Sequence, residues 1–477
     1  MAKLCLVRII SGKRLLFCYK CTGWFQIKFQ GQGTVTAMNR ATWVLSFCAM
    51  LSILLLTGCG SEETVATENP ESLPRQTVDS SAFSSAGQCQ YCHIEIYQQW
   101  QGSAHARSFI NPLYRQQLAR VSNESQGAAD EFCVSCHAPI GWLTEQIPPI
   151  DGEGTDAVAQ QGVSCDLCHA ITEVPQVGNA GFRVSPGKVK YGPFDDALQS
   201  AMHESEYKRI YSQAEYCGAC HEIIHPENGL VLSSTYSEWK AGPYGSRRIQ
   251  CQDCHMTPGP GVEKPNPGVA ATGAPKVRDH ISTHYMPGTN VFGSKQAGFE
   301  DHAALAEETL QSAAVIFLGL PDGLTPYQPA RVNIRIRNDG AGHYLPTGLS
   351  VFNDMWVEMV VTDEQGSVVF QSGVTGSDGT IPEDSIVFGT TFADAAGNET
   401  DNLWEAARVL SDNRIPPQKY VDEFIEIPGL SRPGTVDIKV RLLYRNITPQ
   451  GAKELGIDIA DIPVTEMASA GGKIQVR

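Results

Sequence analysis

In the last third of the chain, apolar and polar residues take turns. Val332, Ile334 and Ile336 alternate with Asn333, Arg335 and Arg337, the period of a strand with one buried face. Residues 356–361, then Val368, Val369 and Phe370 across Asp363-Glu364-Gln365-Gly366, predict a hairpin. Val436, Ile438, Val440 and Leu442 repeat the alternation. Ahead of these strands, residues 303–316 carry a helical pattern. Several short strands in succession predict an all-β, sandwich-like domain over residues 301–477.

Upstream the period of two is lost. Residues 87–300 show only short apolar clusters, such as Ile94, Ile96, Tyr97 and Trp100, which predict isolated helical turns. Residues 257–275 are rich in Pro and Gly and predict an extended loop. Residues 60–86 are rich in Ser, Glu, Thr and Pro without apolar periodicity and predict a flexible tether. Before them, residues 41–58 are apolar almost throughout, follow Arg40 and end Leu56-Thr57-Gly58-Cys59. Small residues before a cysteine at the end of an apolar run resemble a bacterial lipoprotein cleavage site, with Cys59 as the lipidated N-terminus. An uncleaved membrane anchor is the alternative, because about 18 apolar residues nearly span a bilayer. Residues 1–59 are therefore expected to be a leader, with Met38 as an alternative start.

The chemistry lies in the featureless middle. Five times two cysteines three apart are followed at once by a histidine: Cys89, Cys92 and His93; Cys133, Cys136 and His137; Cys165, Cys168 and His169; Cys217, Cys220 and His221; Cys251, Cys254 and His255. C-x-x-C-H is the attachment signature of c-type haem, in which two thiols bond the porphyrin and the imidazole binds the iron. Paired C-x-x-C motifs also build zinc sites, but zinc does not require the histidine. His is 12 of 477 residues, so chance supplies all five on the order of 10⁻⁸ of the time. Five covalently bound c-type haems are expected. Each then has only some thirty residues of chain, so the porphyrins themselves must supply much of the buried surface, with short helices and irregular segments wrapped around stacked haems. The expected architecture is this mostly irregular and helical haem domain over 87–300, followed by the β-domain.

Ten of the fifteen cysteines belong to these motifs, Cys59 to the lipoprotein site, and Cys5, Cys18, Cys21 and Cys48 to the leader. None is left for a disulfide scaffold or a thiol nucleophile. Haem attachment after export agrees with a leader, and Gly60 after the lipidated cysteine points to the outer membrane of a bacterial envelope, on its periplasmic or its surface face. The formal charge is −16, and removal of the leader, with seven basic and no acidic residues, takes it to −23. Such a surface excludes nucleic acid and favours basic redox partner proteins in the envelope, alongside the membrane reached through the lipid.

Seven histidines lie outside the motifs: His105, His203, His225, His280, His284, His302 and His343. Histidine on both faces of a haem makes a low-spin electron carrier, whereas an open face can bind a substrate. Residues 97–106, with Trp100, Ser103, His105 and Ala106, look like the W-x-x-S-x-H-A element of cytochrome c-554-like multihaem cytochromes. The motifs around Cys133, Cys165, Cys217 and Cys251, and Tyr236-Ser237-Glu238-Trp239, continue the likeness in order. His284-Tyr285-Met286-Pro287-Gly288 resembles an H-x-F-x-G element. Residues 342–348 and 412–417 look like the β-domain that accompanies many such proteins. The resemblance spans roughly residues 87–477 and implies His105, His203, His284 and His343 as distal iron ligands. For the fifth, His280 is preferred to His302, and His225, close after His221 and before Pro226, is expected to be structural. His343 lies in a Gly-flanked turn after a strand, so it can project from the β-domain into the haem domain. The family has four haems, one of them five-coordinate; a fifth motif departs from it.

Electron transfer is the favoured function, by a lipid-tethered relay with no catalytic residues of its own. The alternatives are an oxidoreductase acting on a nitrogen or sulfur oxyanion or on hydroxylamine at one five-coordinate haem, and a subunit of a cytochrome filament. All five motifs keep their histidine, which removes the commonest mark of a catalytic haem.

Overall fold

The computed structural model describes residues 73–262 and 264–477, together with three short strands near the start. Those strands, Val7–Ile10, Lys13–Lys20 and Gly23–Gln26, pair antiparallel in one sheet of a separate unit, Met1–Ala66. The apolar segment 41–58, the lipidation candidate Cys59 and residues 60–72 of the expected tether lie outside the described residues. Thr67–Arg477 form one compact unit.

The β part is built as its alternation predicts. Strand Ala330–Asn338 pairs antiparallel with Ala314–Gly319 on one side and Tyr420–Ile427 on the other. Val332, Ile334 and Ile336 turn inward with no exposure, each contributing about 1.5–3 kcal/mol by burial. On the outer face Arg335 pairs with Asp422, its cross-strand partner. A second sheet orders Val368–Ser372, Asp354–Thr362, Gly434–Arg445 and Val464–Val476. Its Met355, Val357, Met359 and Val361 face the first sheet's residues in one apolar core, joined by Val436, Ile438, Val440 and Leu442. The helix ahead of the strands is Glu300–Ala313, shorter at its C-terminal end than the pattern suggests. Ile316 leaves it to pair with Ile336, because Val315, Ile316, Phe317 and Leu318 favour the pleated edge over another helical turn.

The haem-motif part consists of short helices and loops, and the motifs themselves explain them. Helical turns run through Ala86–Cys89, Asp130–His137, Cys165–Cys168, Ala214–Gly218 and Gln252–His255. One turn is what the motif needs, since positions i, i+3 and i+4 then share a face and both thiols stand beside the imidazole. The backbone closes each turn with an N–H from the histidine to the carbonyl of the first cysteine, at 2.9 Å for His93, His169 and His255 and 3.0 Å for His221. The predicted turn after the first motif is the helix Ile94–Gln101.

The expected tether does not extend over residues 73–86. Residues 73–86 dock on the haem-motif part instead of extending away from it. Gln76 exchanges two hydrogen bonds with the backbone of Val184, the Val78 N–H donates to the Leu143 carbonyl, and Arg75 pairs with Glu131 and Glu145. Asp79 caps the short helix Ser80–Ala82, and Phe83 buries itself among Ile140, Leu143, Leu167 and Phe182. Composition concealed this, because Val78 and Phe83 are isolated anchors in a polar segment.

Contacts across the change in period at residue 300 are extensive. Strands Thr390–Ala393, Glu399–Thr400 and Arg408–Asp412 form an arm whose Phe392 and Ala406 pack on Leu232. The arm's Asn402 donates to Glu124 at 2.5 Å, and Asp401 pairs with Arg120.

Candidate haem sites

Three motif histidines face a second imidazole at nearly the same distance. His93 stands 6.2 Å from His203 between ring centroids with planes 24° apart. His255 stands 6.3 Å from His343 with planes 16° apart. His221 stands 6.0 Å from His105, the planes crossing at 89°. Direct stacking brings rings much closer. Two imidazoles clasping one metal from opposite sides, each by a bond of about 2.0 Å, place their centroids roughly 6 Å apart. The residues fit an iron between each pair.

The ring nitrogens agree. In His93, His137, His169 and His255 the Nδ1–H donates to the carbonyls of Ala270 (2.7 Å), Ser108 (3.2 Å), Tyr191 (2.6 Å) and Pro287 (2.8 Å). His203, His284 and His343 donate from Nδ1 to Glu204 (3.1 Å), Ser282 (3.1 Å) and Tyr344 (3.0 Å). A carbonyl on Nδ1 fixes the tautomer that leaves Nε2 for a metal. His105 differs: its Nδ1 lies 3.0 Å from the Met286 thioether sulfur. In His105, His137, His255 and His284 burial favours the neutral ring, the state a metal requires. It lowers His105 to about 3, and His137, His255 and His284 to about 4.

His284 is half-buried, and after burial itself His169 is the neighbour that most lowers its affinity for a proton. His137 has a different ring neighbour, the phenol of Tyr114, stacked at 3.8 Å and 6°. Of the remaining histidines, His302 uses Nε2 on the Gln99 carbonyl at 2.7 Å, which removes that nitrogen from ligation. His225 donates from Nε2 to the Trp404 carbonyl while its Nδ1 accepts from the N–H groups of Glu227 and Asn228, a structural arrangement. His280 lies half-buried in the loop after the fifth motif, its backbone bridged to Asn266.

Thiols from different motifs lie near one another: Cys165 lowers the pKa of Cys89, Cys220 that of Cys136, and Cys217 that of Cys251. Cys168 lies close enough to Cys217 and Cys220 to raise the pKa of both. The fourth motif thus touches the second, third and fifth, and the third touches the first. Sequence separation carries no sign of this order. Tyr114 had no sequence signal either, whereas Met286 stood in the H-Y-M-P-G element without a role of its own. Gly162, at φ +64°, shows how closely the segments pack: a Cβ there would sit 2.8 Å from the His105 carbonyl oxygen.

Residues 88–170, which contain the first three motifs, match the family model described as cytochrome c554 and c-prime. Among solved structures, the penta-haem cytochrome c552 from Thermochromatium tepidum is similar in fold at 18% identity and a TM-score of 0.58, over 82% of this chain and 99% of that one. A CARDB domain from Pyrococcus furiosus matches 35% of this chain and 86% of its own at 10% identity, with a TM-score of 0.17 that carries no argument. No curated protein matches the chain. The matched family model and the shared fold are both those of multihaem c-type cytochromes, which the chain resembles in residues 88–170 and in fold.

Proposed function

We propose that the chain is a pentahaem electron relay, tethered by lipid at Cys59 to the bacterial outer membrane and serving redox partner proteins of the envelope. The paired imidazoles roughly 6 Å apart carry this reading. Haem supplies one-electron exchange at iron; everything else is the work of this chain. The C-x-x-C-H turns would hold each haem through its thiol pair and imidazole, and His203, His105 and His343 would supply a second imidazole at His93, His221 and His255. The influence of His169 on the His284 ring favours the third motif for it. Carbonyls on Nδ1 orient each ring and raise its basicity as a ligand, and so bear on the potential. The thiol contacts give a branched order, first to third to fourth, with the second and fifth joining at the fourth. Motifs whose thiols approach one another put successive hops at short range. The acidic surface suits a basic partner.

The test is low-temperature EPR on the oxidised, haem-loaded mature protein, after haem content is measured. Five haems per chain, all low-spin, are expected of a pure carrier. A stoichiometric high-spin signal would instead favour an oxidoreductase with one five-coordinate haem. The observation on that side is the second motif, where His137 stacks on Tyr114. Nitrite, hydroxylamine and tetrathionate are then the substrates to try. Mass spectrometry of the membrane-bound protein tests the lipid, through an N-terminal diacylglyceryl-cysteine at residue 59.

A further inference from the structure

Three stretches converge on one buried carboxylate. Glu238, on the helix Thr235–Ala241 after the fourth motif, has a side chain only 4% exposed. Its Oε1 accepts from Arg414 Nη1 at 2.6 Å and from the Ser234 hydroxyl at 2.9 Å. Its Oε2 accepts from the Tyr344 N–H at 3.0 Å and from the Thr347 hydroxyl at 2.7 Å. Arg414 is itself 8% exposed and held in a fork by Asp412, with Nε–Oδ1 at 2.9 Å and Nη2–Oδ2 at 2.8 Å. Its guanidinium lies 5.1 Å from the centre of the Tyr344 ring. Thr235 adds a hydroxyl contact to Thr347 at 2.9 Å.

Glu238 belongs to the haem-motif part; Tyr344, Thr347, Asp412 and Arg414 all belong to the β part. Tyr344 directly follows His343 and takes the His343 Nδ1–H on its carbonyl. The same residue is therefore fixed by Glu238 at its nitrogen and fixes the imidazole at its oxygen. From the other side, Asn338 donates to the carbonyls of both His343 and Ile415, tying the His343 turn to the Arg414 strand end. A carboxylate with four donors is fully satisfied, and a charge pair this deeply buried tolerates no loss of either member.

We infer that Glu238 and Arg414 form a clamp that positions His343 over the haem held by His255, so that the β part completes an iron site it does not otherwise build. Glu238 and Arg414 are positioning residues; neither touches the haem. The inference rests on His343 being that haem's distal ligand, as proposed above.

The experiment compares Glu238→Ala, Glu238→Gln and His343→Ala in the haem-loaded full chain. High-spin iron is quantified by EPR, carbon monoxide binding by difference spectra, and the fold by circular dichroism. His343→Ala is expected to convert one haem per chain to a high-spin, carbon monoxide-binding form, and Glu238→Ala to do the same. Added imidazole restores the low-spin spectrum in both, because the open face is the same. Glu238→Gln, which keeps the shape but loses the charge, gives a partial conversion. If His343→Ala leaves the spin state unchanged, the ligand assignment fails and the clamp with it. If His343→Ala opens one haem while both Glu238 variants stay low-spin, the ligand stands and the clamp alone is overturned. Loss of several haems or of secondary structure in both Glu238 variants would make their role general packing, and equally overturns it.

Discussion

His221 and His105 face each other at 6.0 Å with their planes at 89°, whereas the pairs at His93 and His255 lie within 24° of parallel. Parallel imidazoles act along one direction of the iron's π orbitals and split them. Crossed imidazoles act on both directions alike and leave them nearly degenerate, which enlarges the orbital contribution to magnetism. The oxidised protein is expected to show two classes of low-spin EPR signal, with one strongly anisotropic, large-g species. His105→Ala should remove that species and leave the near-parallel class intact. Loss of the near-parallel signals instead would contradict the pairing.

Acid should release distal ligands in a defined window. Burial holds His105 at about 3 and His284 at about 4, below the ordinary 6.5. Between these values the unfolded chain binds protons that the folded one refuses. Their contribution to stability is therefore complete above about pH 6.5 and is lost as pH falls through 4 towards 3. A spectral titration should show low-spin haem turning high-spin over that range, reversibly near its upper end. A spectrum unchanged down to pH 3 would mean these rings are not held as described.

His302 and His284 should separate cleanly. His302→Ala removes a buried hydrogen bond to Gln99 and is expected to cost about 1–3 kcal/mol, with the spin state unchanged. His284→Ala should convert one haem to high-spin. Thermal unfolding together with EPR on the two variants gives the comparison, and a high-spin haem in His302→Ala would reverse the roles. Gly102 lies against the same imidazole, and a Cβ there would collide with the His302 ring, so Gly102→Ala should mimic the His302 loss.

The arm should matter for cohesion more than for haem ligation. Phe392 is 1% exposed and packs with Ala406 on Leu232 of the haem-motif part. Phe392→Ala is expected to destabilise by about 3–5 kcal/mol, read as a lower denaturant midpoint with the EPR spectrum preserved. An unchanged midpoint would show that the arm docks without consequence.

Much of the chemistry was legible in residue order because it is local. The C-x-x-C-H motif works within one helical turn, so its spacing alone places two thiols and an imidazole on a common face. The alternation at Val332, Ile334 and Ile336 is legible for the same reason: the period of a strand is a property of neighbours. Composition misread residues 73–86, where docking rests on two apolar anchors, Val78 and Phe83, among polar residues. It also left His302 in contention as a ligand.

Sequence by itself determined that the chain carries five C-x-x-C-H motifs followed by a β-rich region, and which histidines follow the paired cysteines. Only the tertiary structure decided which imidazole faces which motif, since His203, His105 and His343 reach their partners from distant segments. It alone engaged His302 with Gln99, brought Cys136 to Cys220, and gathered Glu238, Tyr344, Thr347 and Arg414 into one network. These relations depend on how distant segments approach in space, and no local period records that.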